Sequence, residues 1–94
     1  MVIGVCTLRL HLPASGSLKA KRGILKSLLA HARHEFNISI VEVGDNDLWQ
    51  SAVIGVAAVS SEAEYAQGLL NRVVQWVEEQ RLDVTLVDYT IELL

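Results

Sequence analysis

The chain is poor in cysteine, proline and aromatic residues, with one Cys, one Pro and five aromatic side chains in 94 residues. The single Cys6 excludes an intramolecular disulfide and, with no second thiol, a zinc knuckle or a redox pair. Lying mid-strand between apolar neighbours, it reads as a buried structural thiol. No uninterrupted apolar run approaches the roughly 18 residues of a membrane span, and the Met-Val-Ile-Gly-Val start lacks the basic n-region and cleavage site of a secretory signal. A cytoplasmic location is expected. Acidic residues are missing altogether from residues 1–34, which hold Arg9, Lys19, Lys21, Arg22, Lys26 and Arg33. Residues 35–94 hold all eleven acids and only Arg72 and Arg81. A formal net charge of −3 thus conceals a basic first third and an acidic remainder, which suggests an anionic partner or internal neutralisation on folding.

What is present is a pattern of six elements. Residues 2–12, "VIGVCTLRLHL", alternate at their end, with Leu8, Leu10 and Leu12 on one face and Arg9 and His11 on the other, the period of a half-buried strand. Pro13 ends it, and Gly16 and Ser17 follow as loop and helix N-cap. From Leu18 to about Glu35 the period is helical, with Leu18, Ile24, Leu25, Leu28, Leu29, Ala32 and Phe36 in one arc. Lys19, Arg22, Lys26 and Arg33 fall in a stripe about 60° wide beside it. Lys21 falls inside the apolar arc, so it either snorkels off the helix end or meets an acidic partner: Glu42, Asp45 or Asp47. Gly23 weakens the helix by about 1 kcal/mol relative to Ala.

"NISIVEVG" (37–44) and "WQSAVIGVAAVS" (49–60) read as two strands joined by "DNDL", a hairpin connection. Ser61 with Glu64 predicts a capping box for a second helix, which packs through Ala63, Ala66, Leu69, Leu70, Val73, Val74, Trp76 and Val77. "DVTLVDYTIELL" (83–94) closes the chain as a strand with Val87, Tyr89, Ile91 and Leu93 on one face. Strand, helix, strand, strand, helix, strand, with right-handed crossovers, is a ferredoxin-like α+β sandwich. Its four-stranded antiparallel sheet has order 4-1-3-2, both helices cover one face, and residues 1–94 form a single domain. In this topology the loop after the first strand, the hairpin and the turn after the second helix share one end, so residues 13–22 should adjoin residues 44–48.

At that end the free amides of the first helix coincide with Ser17, Lys19, Lys21 and Arg22, a setting that favours phosphate or carboxylate. With Lys26 and Arg33 these are the candidate nucleic-acid or anion contacts. The hairpin side adds Glu42, Asp45, Asp47, Trp49 and Gln50 as candidate interaction residues. Trp49 is expected as a hydrophobic plug under the turn, the alternative being an exposed stacking surface. The bland reading of the stripe is a solvated face, and that of the hairpin acids is ordinary turn chemistry or pairing with the lysines. No metal site is expected: His31 and His34 share a helix side without a completing ligand, and Glu42, Asp45 and Asp47 serve the hairpin equally well. No cofactor is expected either.

The segments "LHLPASGSLKAKR" and "NISIVEVGDNDLWQSAVIGVAAVS" closely resemble the YlxP-like family of bacterial proteins, across almost the whole chain. The resemblance implies a ferredoxin-like fold. Because members are often encoded among genes for transcription and translation factors, it also implies a link to RNA or the ribosome. It implies no reaction and no catalytic residue. This chain departs from the family at Gly23, where others tend to carry a better helix former, and in a short C-terminal end.

Three functional classes follow. The first is a non-catalytic RNA- or ribosome-associated module that holds phosphates on the basic helix face, affinity without sequence readout, since strands one and three lack the aromatic signature of an RNA-recognition motif. The second is a homo-oligomer or protein-interaction module, such as a homodimer, using the sheet face the helices leave open, with Ile3, Val5, Val84 and Leu86 joining an apolar third strand. The third is an acylphosphatase-like enzyme, disfavoured because the glycine-rich signature ending in arginine is absent from "LPASGSLKAKR".

Overall fold

The computed structural model describes residues 1–80 and 83–94. In chain order the elements are β1 (Val2–His11), α1 (Leu18–Glu35), β2 (Ser39–Gly44), β3 (Ser51–Ser60), α2 (Ala63–Gln80) and β4 (Thr85–Leu93). All strand pairs are antiparallel and the spatial order is β2-β3-β1-β4, so the fold is ferredoxin-like as the element pattern predicts. The turn after α2 includes residues 81 and 82, outside the described residues. No described helix is long and apolar enough to cross a membrane.

Strand alternation makes the core. Cys6, Leu8 and Leu10 from β1, Leu12 just past its end, and Ala52, Ile54, Val56 and Ala58 from β3 point to the helices and are buried. Leu25, Leu28, Leu29 and Ala32 from α1 and Ala66, Leu70, Val73, Val74 and Val77 from α2 close over them. A fully buried leucine contributes about 2 kcal/mol through lost apolar surface, so Leu8, Leu10 and Leu28 each outweigh any surface charge pair. Gly4 makes room for α2 side chains: a Cβ there would lie 2.8 Å from Leu70 Cδ1 and 3.5 Å from Ala66 Cβ, so the buried tip of Leu70 occupies the space the glycine leaves.

Local chemistry sets the helix ends. Ser17 is extended at φ −164° and ψ 164°, and its hydroxyl accepts from the Ala20 amide at 3.0 Å, the N-cap expected of it. The start of α2 differs from the capping-box expectation. The helix opens two residues beyond Ser61, with the Ala66 amide donating to the Glu62 carbonyl at 3.2 Å. The hydroxyl that meets a free amide is that of Ser60, which accepts from Glu62 at 3.1 Å.

Strand β4 also departs from simple alternation. Arg9 pairs with Asp88 but Leu10 pairs with Leu86, so Val87 is an extra residue and the faces switch there. Leu86 therefore packs against the core and Val84 is buried, whereas Val87 is 59% exposed. Val84 and Leu86 are thus removed from the open face on which they were expected, because one bulge reverses the facing of every residue before it. The open face keeps Val41, Val43, Val53, Ala57 and Val59 with Ile3 and Val5, whose registers place them on the same side. Val41, Val43 and Val59 are more than half exposed.

Candidate nucleic-acid interface

The hairpin between β2 and β3 and the loop before α1 meet at one end of the molecule, joined through specific hydrogen bonds. The Gln50 side-chain amide donates to the carbonyls of Pro13 (3.1 Å) and Ser15 (3.2 Å). The Gln50 carbonyl accepts from the Leu12 amide at 2.9 Å and faces His11 Nδ1 at 3.0 Å. Ser15 is buried, and its hydroxyl donates to the Ser17 carbonyl at 3.2 Å. Gln50 therefore acts as a clamp that fixes where α1 begins relative to the hairpin, a role its sequence neighbourhood does not announce.

Lys21 resolves the anomaly of a cation in the apolar arc. It is 1% exposed, and its Nζ lies 2.8 Å from Glu42 Oε2 and donates to the Asp45 carbonyl at 2.5 Å. Glu42 Oε2 accepts no hydrogen bond of regular geometry, so this contact is an ion pair rather than a directed bond. The acidic partner, not the snorkel, is what the fold supplies, and Lys21 is sealed away from any external phosphate. Asp45 is held in the left-handed region at φ 59°, which Asp tolerates better than most residues. Its carbonyl also accepts from the Leu48 amide at 3.0 Å, and its Oδ2 accepts from the Ser51 hydroxyl at 2.7 Å. Glu42 and Asp45 are thus committed to the turn. Among the described residues no group of three or more His, Cys, Asp or Glu side chains stands together as a metal site.

The outward stripe is different. Lys19, Arg22 and Lys26 are exposed and form no ion pair among the described residues. Arg33, further along α1, donates from Nη2 to the Ile40 carbonyl at 2.7 Å, which ties the helix to the start of β2 and uses part of its guanidinium. Ser17 is spent on its cap, and Asp47 is exposed at the hairpin. No acidic side chain lies in the first turn of α1, so nothing on the helix itself offsets the positive potential of its amide end.

Trp49 is not the plug expected under the turn. It is 56% exposed, beside Leu48 at 52%, at the tip next to the clamped loop. The turn needs no plug because Lys21, Ser51 and the Leu48 amide already hold Asp45 from three sides. A large ring left in solvent at the hairpin tip is a flat surface open to stacking, on the hairpin that Gln50 clamps to the loop leading into α1. The buried thiol lies elsewhere: Cys6 is enclosed in the core and its pKa is raised to about 11 by loss of solvent, which keeps it protonated and unreactive at neutral pH.

The sequence pattern marks Phe36 and Trp76 only as core-facing positions and does not single out Tyr65. Phe36, Tyr65 and Trp76, three of the five aromatic side chains, line one cleft between the C-terminal end of α1 and the length of α2, with Glu35, Arg72 and Glu79. Only helix packing brings them together. Trp76, expected in the core, is half-buried there.

Comparison with known proteins agrees with the resemblance read from the sequence. Residues 3–91 match the family described as Protein of unknown function (DUF503). The uncharacterized protein YlxP of Bacillus subtilis (strain 168) is 42% identical over 64 residues, 68% of this chain and 70% of that one.

Proposed function

We propose, for a chain that belongs to the DUF503 family of proteins of unknown function, a non-catalytic role in binding RNA through the exposed face of α1 and the hairpin tip beside it. The observation that carries the reading is that Lys19, Arg22 and Lys26 stand exposed and without an ion-pair partner among the described residues, while the inward Lys21 takes the nearby acid Glu42. The fold thus separates one structural lysine from three available cations. Available cations at about one helical turn spacing suit a phosphate backbone, and the exposed Trp49 offers a face for an unpaired base. Single-stranded RNA fits better than duplex, since a duplex leaves the tryptophan no face to stack on. Such contacts give affinity with little sequence choice.

The test is an affinity series against a single-stranded oligonucleotide at increasing salt, comparing the native chain with a Lys19→Ala/Arg22→Ala/Lys26→Ala variant and with Trp49→Ala. Each lost phosphate contact should reduce the slope of log affinity on log salt by about 0.7, hence by roughly 2 for the triple variant. Trp49→Ala should weaken binding about tenfold while leaving that slope alone, as stacking is not ionic. Equal affinities for all three proteins would refute the reading.

A second reading rests on a separate observation, the exposed apolar sheet face. Val41, Val43 and Val59 are 54%, 57% and 68% exposed around Gly55 and Ala57, whose small size makes the centre of the face flat. A Cβ on Gly55 would lie 3.0 Å from Val43 Cγ1, so the glycine lets Val43 lie down over the sheet. A second copy of the chain stacked face to face would cover this surface, and such pairing leaves α1 free on the opposite side.

A further inference from the structure

The cleft beside α2 has a charge pattern that the RNA reading does not use. Tyr65, Leu69, Arg72, Trp76 and Glu79 recur at alternating intervals of four and three residues, so they form one stripe along α2, about 21 Å from first to last. Opposite them the end of α1 contributes Glu35 and Phe36, and the cleft, open to solvent, has a volume of about 590 Å³. The rings of Phe36 and Trp76 are 5.9 Å apart and nearly perpendicular at 88°, an edge-to-face contact that fixes the two rings against each other.

Charge is segregated along this cleft. Arg72 turns back toward the helix start, since its Nη1 lies 3.9 Å from where a Cβ on Gly68 would be, away from Trp76 one turn later. Glu79 lies one turn past Trp76 and its Oε1 accepts from the Gln75 side-chain amide at 3.3 Å, and Glu35 immediately precedes the Phe36 that touches Trp76. Neither carboxylate, nor Arg72, forms an ion pair among the described residues. One end therefore carries an aromatic pair with two carboxylates, and the other, toward the start of α2, the Arg72 guanidinium and the exposed Tyr65. A phosphate backbone is repelled by the first end. An arginine or lysine head is attracted to it twice over, by the ring and by the acids.

We infer that this cleft binds an extended segment of a partner protein, its arginine or lysine head against Trp76, Glu35 and Glu79 and an acidic group of the same segment against Arg72. The Arg72 guanidinium reaches back to the level of Gly68, eleven residues before Glu79, so the two charged ends are about 16 Å apart along α2, which an extended chain spans in about five residues. The inference does not depend on RNA binding at the other end of the molecule.

The chain has two tryptophans, so its two indole N–H resonances report the two ends separately. The ¹⁵N-labelled full chain is titrated with a capped glycine–serine hexapeptide bearing arginine at one end and aspartate at the other, in both orders. A control peptide carries neutral citrulline in place of arginine, and a nucleoside monophosphate is titrated in parallel. The expected result is that one order of the charged peptide shifts the Trp76 indole and leaves Trp49 in place, with the response weakened about tenfold by citrulline and by Glu35→Gln/Glu79→Gln. Both acids are exposed, so the double variant should keep its native spectrum elsewhere. No Trp76 shift with the charged peptide, equal shifts with the citrulline peptide, or a Trp76 response to the nucleotide alone would each overturn the inference.

Discussion

At the scale of single residues, Lys21 shows how one side chain ties two elements together. Its aliphatic stem occupies a core position on α1 while its ammonium group reaches Glu42 on β2 and the Asp45 carbonyl in the turn. Removing only the cation leaves Glu42, itself only 20% exposed, without its counter-charge, and a broken buried pair costs about 3 kcal/mol. Lys21→Met should lower the urea unfolding midpoint accordingly. Lys21→Met/Glu42→Leu should recover more than half of that loss, since no charge is then stranded. A single variant as stable as the native chain would show that the pair contributes nothing. Cys6 gives a pH prediction. Its folded pKa is raised from 9.0 to about 11 by burial, so the folded state holds its proton longer than the unfolded state does. The stability tied to that proton is full below pH 9 and is lost as pH rises toward 11. The stability difference between the native chain and Cys6→Ala should therefore be flat through neutral pH and narrow above pH 9, measured by denaturant unfolding at each pH.

At the scale of elements, α1 does two jobs with one sequence. Its buried face is set by Leu25, Leu28, Leu29 and Ala32, and its charged stripe follows because residues between those positions must face water. Gly23 lies exposed in that helix, and a Cβ there would meet nothing within 4 Å. Gly23→Ala should then stabilise the fold by about 1 kcal/mol, read from the unfolding midpoint, with no change in RNA affinity if the helix only presents its cations. The periodic pattern of both helices was legible in the sequence because eighteen residues repeat it several times. The β4 bulge was not, for a single extra residue leaves no periodic trace in a nine-residue strand and is decided by pairing with β1. Likewise, the exposure of Trp49 depends on whether something else fills the space under the turn, and Lys21 does so from another element.

At the scale of the whole molecule, the acidic total and the basic first third are reconciled by geometry rather than by cancellation. Of the six cations before residue 35, Lys21 alone forms an ion pair among the described residues, and most acids lie on β4, α2 and the hairpin. The molecule is thus polar in charge, with a positive α1 face and an apolar sheet face on opposite sides. If two copies stack through their sheets, Val59→Asp should convert a dimer to a monomer in sedimentation at micromolar concentration, because it places two charges in a dry contact. A native chain that sediments as a monomer there would remove the dimer and leave the α1 face unaffected.

The order of elements, the antiparallel sheet and the existence of a basic stripe were determined by the sequence alone, since hydrophobic period and crossover handedness act locally and leave few topologies to choose among. Tertiary structure alone decided that Lys21 is withdrawn while Lys19, Arg22 and Lys26 are not, that Trp49 stands in solvent, and that Phe36, Tyr65 and Trp76 share a cleft. The reason is physical: a side chain's own segment settles which way it points, but what waits there comes from residues distant in the chain, and only packing brings them into reach.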